Sequence, residues 1–182
     1  MTDTKKFGGL QLDILPLSGL VNLRGGAEIL PVITEQLGQK LPVVANTMSF
    51  GEHVVYWLSP DEWVILSKTH DAVSLVRKLR DALSGSHASV TDISGGYAIL
   101  RLSGITALNL LSKGCTLDLC PTNGFVRGSC AQSGLAKTNV ILGCIEESTC
   151  YEVLVRRSFS DYLTRWFGRV GAEYGIQIIR SG

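Results

Sequence analysis

The order of β-prone runs and helical stripes is the feature that most constrains the fold of this chain. Paired β-prone runs alternate with single helical stripes, and the regular strand–helix–strand cadence of a parallel sheet is missing. This order predicts an α+β fold with mainly antiparallel sheets and packed helices. We interpret residues 1–182 as a single domain, and the order is compatible with two similar halves, at about 10–87 and 88–182.

The first half of the chain alternates strands with amphipathic helices. Apolar residues alternate over 10–15 and predict a strand, and helical spacing of apolar residues over 27–37 predicts a helix. Two β-prone runs, 53–58 and 62–66, flank a Ser-Pro-Asp turn and predict a hairpin. Asp71 stands where it would cap the next helical stripe.

The second half begins with what the sequence predicts to be another hairpin. Its strands are 90–94 and 97–102, and Gly95 and Gly96 supply the positive φ that a tight turn needs. A short helix is expected over 105–111 because its apolar residues share one face. Three successive antiparallel strands are predicted next, at 129–136, 140–146 and 151–157. A helix over 159–167 and a closing strand over 174–179 follow them.

Charge is scarce in this chain and is not clustered into a basic block. Charged residues make up 18% of the sequence, apolar residues 45%, and the formal net charge is +1. A surface short of charge suggests that a partner covers part of it, whereas nucleic-acid and membrane partners are not expected. Residues 1–9 lack the apolar segment of a leader, and no apolar run is long enough to span a membrane, so we expect a cytoplasmic protein.

The cysteines and histidines do not form a pattern typical of an active site. Cys115 and Cys120 are separated by four residues, but zinc sites favour closer pairs, and the nearest histidine, His87, is on another element. His53 is expected at the surface or rim of a strand. The paired glycines complete no dinucleotide- or phosphate-binding motif. We therefore predict no catalytic, cofactor-binding or metal-ligating residue, and buried, reduced thiols that serve in packing.

Five segments, in this order and spacing, resemble the gamma subunit of heterotetrameric sarcosine oxidase. Cys120 stands where that family usually has His before Pro121, and Ser133 stands where it tends to have Thr, which suggests a divergent branch. The resemblance spans about 46–167. The chain is also similar to the corresponding subunit of N-methylglutamate dehydrogenase. The segments are WLSPDEW at 57–63, VTDIS at 90–94, KGCTLDL at 113–119, GSCAQ at 128–132 and RSF at 157–159.

The resemblance implies a fold similar to the folate-binding domain of the glycine-cleavage T-protein. Where that protein has a paired-aspartate segment, residues 134–139 of this chain contain no carboxylate to assist proton transfer. The resemblance therefore implies a non-catalytic assembly subunit of a flavin-dependent complex. That complex would demethylate sarcosine or another N-methyl amino acid and pass the methyl carbon to formaldehyde or tetrahydrofolate.

The implied partners are the alpha, beta and delta subunits of the same complex. Those subunits would hold the cofactors FAD, FMN, NAD, tetrahydrofolate and zinc, and this chain would hold none. Four residues are candidate subunit contacts: Lys113, Gln132, Arg156 and Arg157. Because Arg156 and Arg157 are adjacent at a strand end, one can point inward and the other outward.

Two other functions stay open from the sequence alone. One is a stand-alone folate-binding one-carbon protein with the T-protein fold, which only the implied fold favours. The other is a free-standing metal or thiol protein, which rests on the cysteines.

Overall fold

The computed structural model describes residues 9–17, 19–67 and 71–180. The chain divides into two compact units: the first contains residues 1–16, 98–127 and 132–182, and the second contains 17–97 and 128–131. The segment in which we predict no leader lies, except for Gly9, outside the described residues. The predictions of a single domain and of two similar halves stay predictions, and the bounds of the two units differ from those of the predicted halves.

The described residues form eleven named strands and four α-helices. The strands are β1 (Gln11–Ile14), β2 (Gly19–Gly25), β3 (Met48–Phe50), β4 (His53–Ser59), β5 (Glu62–Ser67), β6 (Ala88–Asp92), β7 (Tyr97–Ser103), β8 (Cys130–Leu135), β9 (Thr138–Glu146), β10 (Cys150–Arg156) and β11 (Gln177–Arg180). The helices are α1 (Leu30–Leu37), α2 (Ala72–Ala82), α3 (Ala107–Ser112) and α4 (Ser160–Gly171).

The second unit contains a five-stranded antiparallel sheet in the order β3-β4-β5-β2-β6. Its core joins apolar residues of the sheet, such as Val55 and Ile65, to Ile33 of α1 and Leu79 of α2, and all four are fully buried. The predicted hairpin is confirmed, since β4 and β5 pair in antiparallel register. The predicted cap of α2 is also confirmed, because Asp71 Oδ1 accepts a hydrogen bond from Ser74 N at 3.0 Å.

The first unit contains most of a six-stranded sheet in the order β11-β1-β7-β10-β9-β8. Its pairings β1–β7 and β9–β10 are antiparallel, whereas β11 runs parallel to β1. The helix predicted at 159–167 is confirmed as α4, which buries Leu163 and Phe167 completely. The α+β prediction with mainly antiparallel sheets is therefore confirmed.

The predicted hairpin over 90–102 is wrong. β6 pairs with β2 in the five-stranded sheet, whereas β7 pairs with β1 in the six-stranded sheet. Gly95 and Gly96 lie in a 3-10 turn, and neither has a positive φ. Asp92 Oδ1 instead accepts hydrogen bonds from Ser94 N at 2.9 Å and from Ser94 Oγ at 2.6 Å. This side-chain turn ends β6 and lets the chain leave its sheet.

His53 is the second correction, because it is buried and not at a rim. It begins β4 in the five-stranded sheet and is 7% exposed. Its backbone N donates a hydrogen bond to Gln39 Oε1 at 2.8 Å.

Among the residues that the structure describes, no helix has the length and apolar character needed to cross a membrane.

Candidate functional site

Lys113, the first candidate contact residue, is already engaged within the first unit. It follows α3, and its Nζ forms an ion pair with the Glu173 carboxylate. The same ammonium lies 5.0 Å from the centre of the Tyr174 ring. The ion pair ties the end of α3 to the turn after α4. The Lys113 side chain is still 39% exposed, so it also faces solvent. Its contact with another subunit stays a prediction.

The other three candidates are exposed. Gln132 lies on β8, which is an edge strand of the six-stranded sheet. Arg156 ends β10, and Arg157 begins the 3-10 turn that leads into α4. Neither arginine is buried, because the strand ends at Arg156 and its alternation does not continue into the turn. Their role as subunit contacts stays a prediction.

The turn before α4 places Arg157 at the start of a series of charged residues that continues along the helix. Arg157, Asp161, Arg165 and Arg169 follow one another at four-residue spacing and are all exposed. Within the described part of the chain, neither Arg165 nor Arg169 has an ion-pair partner. The sequence prediction omits these two residues. Their spacing on the polar face of the predicted helix is the signal that would have found them.

Residues 134–139, which contain no carboxylate, include the tight connection between β8 and β9. Ala136 adopts φ +54°, and its N donates a hydrogen bond to Gly114 O at 2.9 Å. Lys137 and Asn139 are exposed, and Thr138 is buried. The polar side chains here are an amide, a hydroxyl and an ammonium, so this turn offers no carboxylate base.

An ion pair lies in the middle of the six-stranded sheet. Glu152 of β10 is 1% exposed, and its Oε1 accepts hydrogen bonds from Arg101 of β7, with Nε at 3.2 Å. Asp13 of β1 lies opposite Arg101 on the other neighbouring strand. A buried carboxylate is stable only with such partners, which gives this pair a structural role.

The thiols are free, and burial disfavours their reactive form. Cys130 and Cys144 are buried, and Cys150 is half-buried. Burial raises the pKa of all three thiols to about 11. The expectation of buried thiols holds for Cys130 and Cys144, whereas Cys115 and Cys120 are partly exposed. Among the described residues, no group of three or more His, Cys, Asp or Glu side chains is placed to hold a metal ion.

Alkylation under native conditions tests this thiol chemistry. At pH 8, a thiol with a pKa of about 11 is ionised only to about one part in a thousand. We therefore expect iodoacetamide to modify the partly exposed Cys120 well before Cys130 or Cys144, as measured by peptide mass spectrometry. The rates at the two buried thiols should rise as the pH approaches 11, because the thiolate is the nucleophile. Equal rates at pH 8 would contradict the assignment, and urea-unfolded chain provides the control.

Comparison with known proteins identifies the family. The model of the "Sarcosine oxidase, gamma subunit family" matches residues 26–173. The chain belongs to the sarcosine oxidase gamma subunit family. The resemblance predicted from the sequence is confirmed. A curated relative in this family, sarcosine oxidase subunit gamma of Corynebacterium sp. (strain U-96), is 32% identical over 120 residues. These residues are 66% of this chain and 57% of the relative, so the match spans a little over half of the relative's length.

Two solved structures share the fold of this gamma subunit family member. Heterotetrameric sarcosine oxidase from Corynebacterium sp. U-96, in complex with pyrrole 2-carboxylate, matches with a TM-score of 0.83 and 24% identity, covering 91% of this chain and 85% of that chain. Glycine cleavage system aminomethyltransferase T from Bartonella henselae matches with a TM-score of 0.71 and 12% identity, covering 94% and 48%. The predicted likeness to the T-protein fold is confirmed.

Proposed function

We propose that this chain is a non-catalytic assembly subunit of a heterotetrameric sarcosine oxidase-type complex. Membership in the gamma subunit family carries the proposal. The solved relative with the same fold is a heterotetramer, which supports a role in assembly with other chains. In this proposal, the partners are the alpha, beta and delta subunits, and the complex works in the cytoplasm.

The proposal assigns the chemistry to the other subunits. The turn between β8 and β9 carries Lys137 and Asn139 and no carboxylate, and the pKa of the buried Cys130 thiol is raised to about 11 by burial. Neither feature supports acid–base or nucleophilic catalysis near neutral pH. The partner subunits would bind FAD, FMN, NAD, tetrahydrofolate and zinc. They would oxidise sarcosine or another N-methyl amino acid. The methyl carbon would then be released as formaldehyde or transferred to tetrahydrofolate.

Co-expression with the other subunits tests the proposed assembly. With a tag on this chain, we expect the three other subunits to co-purify in equimolar amounts as one species in size-exclusion chromatography. Omitting this chain should lower the recovery of the intact complex. The isolated chain should show no oxidation of sarcosine or N-methylglutamate. If the other subunits assemble fully without this chain and none co-purifies with it, the proposal is wrong.

The likeness to aminomethyltransferase T favours one second candidate, a stand-alone folate-binding protein. At 12% identity, the likeness concerns the fold, and folds host many functions. Calorimetric titration of the isolated chain with tetrahydrofolate separates the two candidates. The assembly role predicts no heat of binding, whereas saturable binding by the isolated chain would favour the second candidate.

A further inference from the structure

We propose that the solvent-facing side of α4 is a docking surface for an acidic segment of a partner subunit. This surface, which we name the arginine stripe, consists of Arg157, Arg165 and Arg169. The inference rests on the proposed assembly function and adds which face of the chain meets a partner and what chemistry the partner presents there.

The helix geometry concentrates positive charge on one line. Arg165 and Arg169 are four residues apart in α4, and Arg157 precedes Arg165 by two such steps in the turn that leads into the helix. Residues at this spacing lie on one face of a helix. Asp161 is the acidic residue within the same line, so the line carries three positive charges and one negative charge. The whole chain has a formal net charge of only +1.

Four other cations of the chain are used internally. Arg24 lies 3.4 Å from the Asp61 carboxylate, and Arg101 binds the buried Glu152. On α2, Lys78 Nζ donates a hydrogen bond to Gln36 O at 2.5 Å, and Arg80 Nε donates to Val90 O at 2.9 Å. Each of these side chains therefore binds a carboxylate or a backbone carbonyl oxygen of a neighbouring element.

Arg165 and Arg169 differ from these cations. Within the described residues, neither head group forms an ion pair, and like charges four residues apart in a helix disfavour that helix. The opposite face of α4 already buries Leu163 and Phe167 completely in the first unit. The helix is therefore held by its apolar face, and Arg165 and Arg169 are left for an anionic group outside the chain.

Exposed apolar side chains next to α4 favour a protein partner over a nucleic acid. Phe159, in the turn before α4, is 44% exposed. Ile178 of β11 is 41% exposed and lies next to α4, since a Cβ added at Gly168 would be 3.3 Å from Ile178 Cδ1. Exposed aromatic and aliphatic groups beside arginine are typical of protein interfaces, where the guanidinium binds carboxylates in a bidentate manner.

Charge reversal in the co-expressed complex tests the inference. The variant Arg165→Glu with Arg169→Glu should reduce partner subunits retained on the tagged chain by about tenfold or more, because like charges would then face each other. The neutral variant Arg165→Gln with Arg169→Gln should give a smaller reduction. Retention of the unmodified chain should weaken as the salt concentration rises, since the contacts are exposed charges.

A matched control carries the same change in net charge elsewhere. Lys40→Glu with Arg77→Glu replaces two exposed cations of the second unit and should leave retention unchanged. Thermal unfolding of each purified variant checks its fold, and the neutral variant decides the question if the charge-reversed chain fails to fold. Full retention by both stripe variants would overturn the inference while leaving the proposed function intact. Failure of the unmodified chain to co-purify would instead count against the proposed function. Loss of bound nucleic acid from the stripe variants, with subunit retention unchanged, would also overturn the inference.

Discussion

Replacing Gly104 with alanine is expected to lower the free energy of unfolding by at least about 3 kcal/mol. Gly104 connects β7 to α3 with φ +132°, a conformation that residues with a Cβ rarely adopt. An added Cβ would lie 2.5 Å from Gly9 O and 3.0 Å from Leu10 Cα. Both neighbours are backbone atoms next to β1, so they cannot move away as a flexible side chain would. Urea unfolding followed by tryptophan fluorescence measures the effect.

Gly124→Ala is the matched control for this substitution. Gly124 also has a positive φ, +97°, but a Cβ at this position would meet nothing within 4 Å. Its loss of stability should reflect backbone strain alone, about 1–3 kcal/mol. The difference between the two variants then isolates the collision of the new Cβ with Gly9 and Leu10. Equal losses would show that the close approach of Gly104 to β1 contributes nothing.

Replacing Arg101 with methionine is expected to lower the free energy of unfolding by about 3 kcal/mol. The substitution keeps an unbranched side chain of similar reach but removes the guanidinium that binds Glu152. Glu152 is 1% exposed, so its carboxylate would be left buried without that cation. We place the effect at the lower end for a broken buried pair because the Arg101 side chain is 43% exposed and water screens it in part.

A double-mutant cycle separates the pair from its surroundings. Adding Glu152→Leu to Arg101→Met should recover much of the lost stability, because an apolar pair of similar volume has no buried charge to solvate. Urea unfolding of the four proteins gives the coupling energy. If the loss of stability in the double variant equals the sum of the losses in the two single variants, the coupling energy is zero and the two side chains do not interact.

Structural features whose determining contacts are local could be predicted from the sequence. The hairpin of β4 and β5 depends on a turn whose Ser59 Oγ donates a hydrogen bond to Asp61 two residues later, at 2.5 Å. The cap of α2 depends on Asp71 and Ser74, which are three residues apart. Each signal lies within a few residues of the feature that it specifies.

The candidate site was only partly predictable, since an exposed charge has no local signature of its partner. Lys113 was predicted as a subunit contact, which stays a prediction, and its pairing with Glu173 joins residues far apart in the chain. Arg156 and Arg157 were chosen from their position at a strand end. The more extended feature, the arginine stripe, depends on the continuation of that end into α4.

The sequence by itself determined the α+β class, helix α2 with its Asp71 cap, the β4–β5 hairpin and the family, because these follow from periodicity, turn chemistry and ordered motifs. Only the tertiary structure decided that β6 and β7 enter different sheets and that β11 pairs in parallel with β1. A β-prone run has two edges and specifies no partner through its own periodicity. Its neighbours are selected by burial of apolar surface contributed by distant segments of the chain.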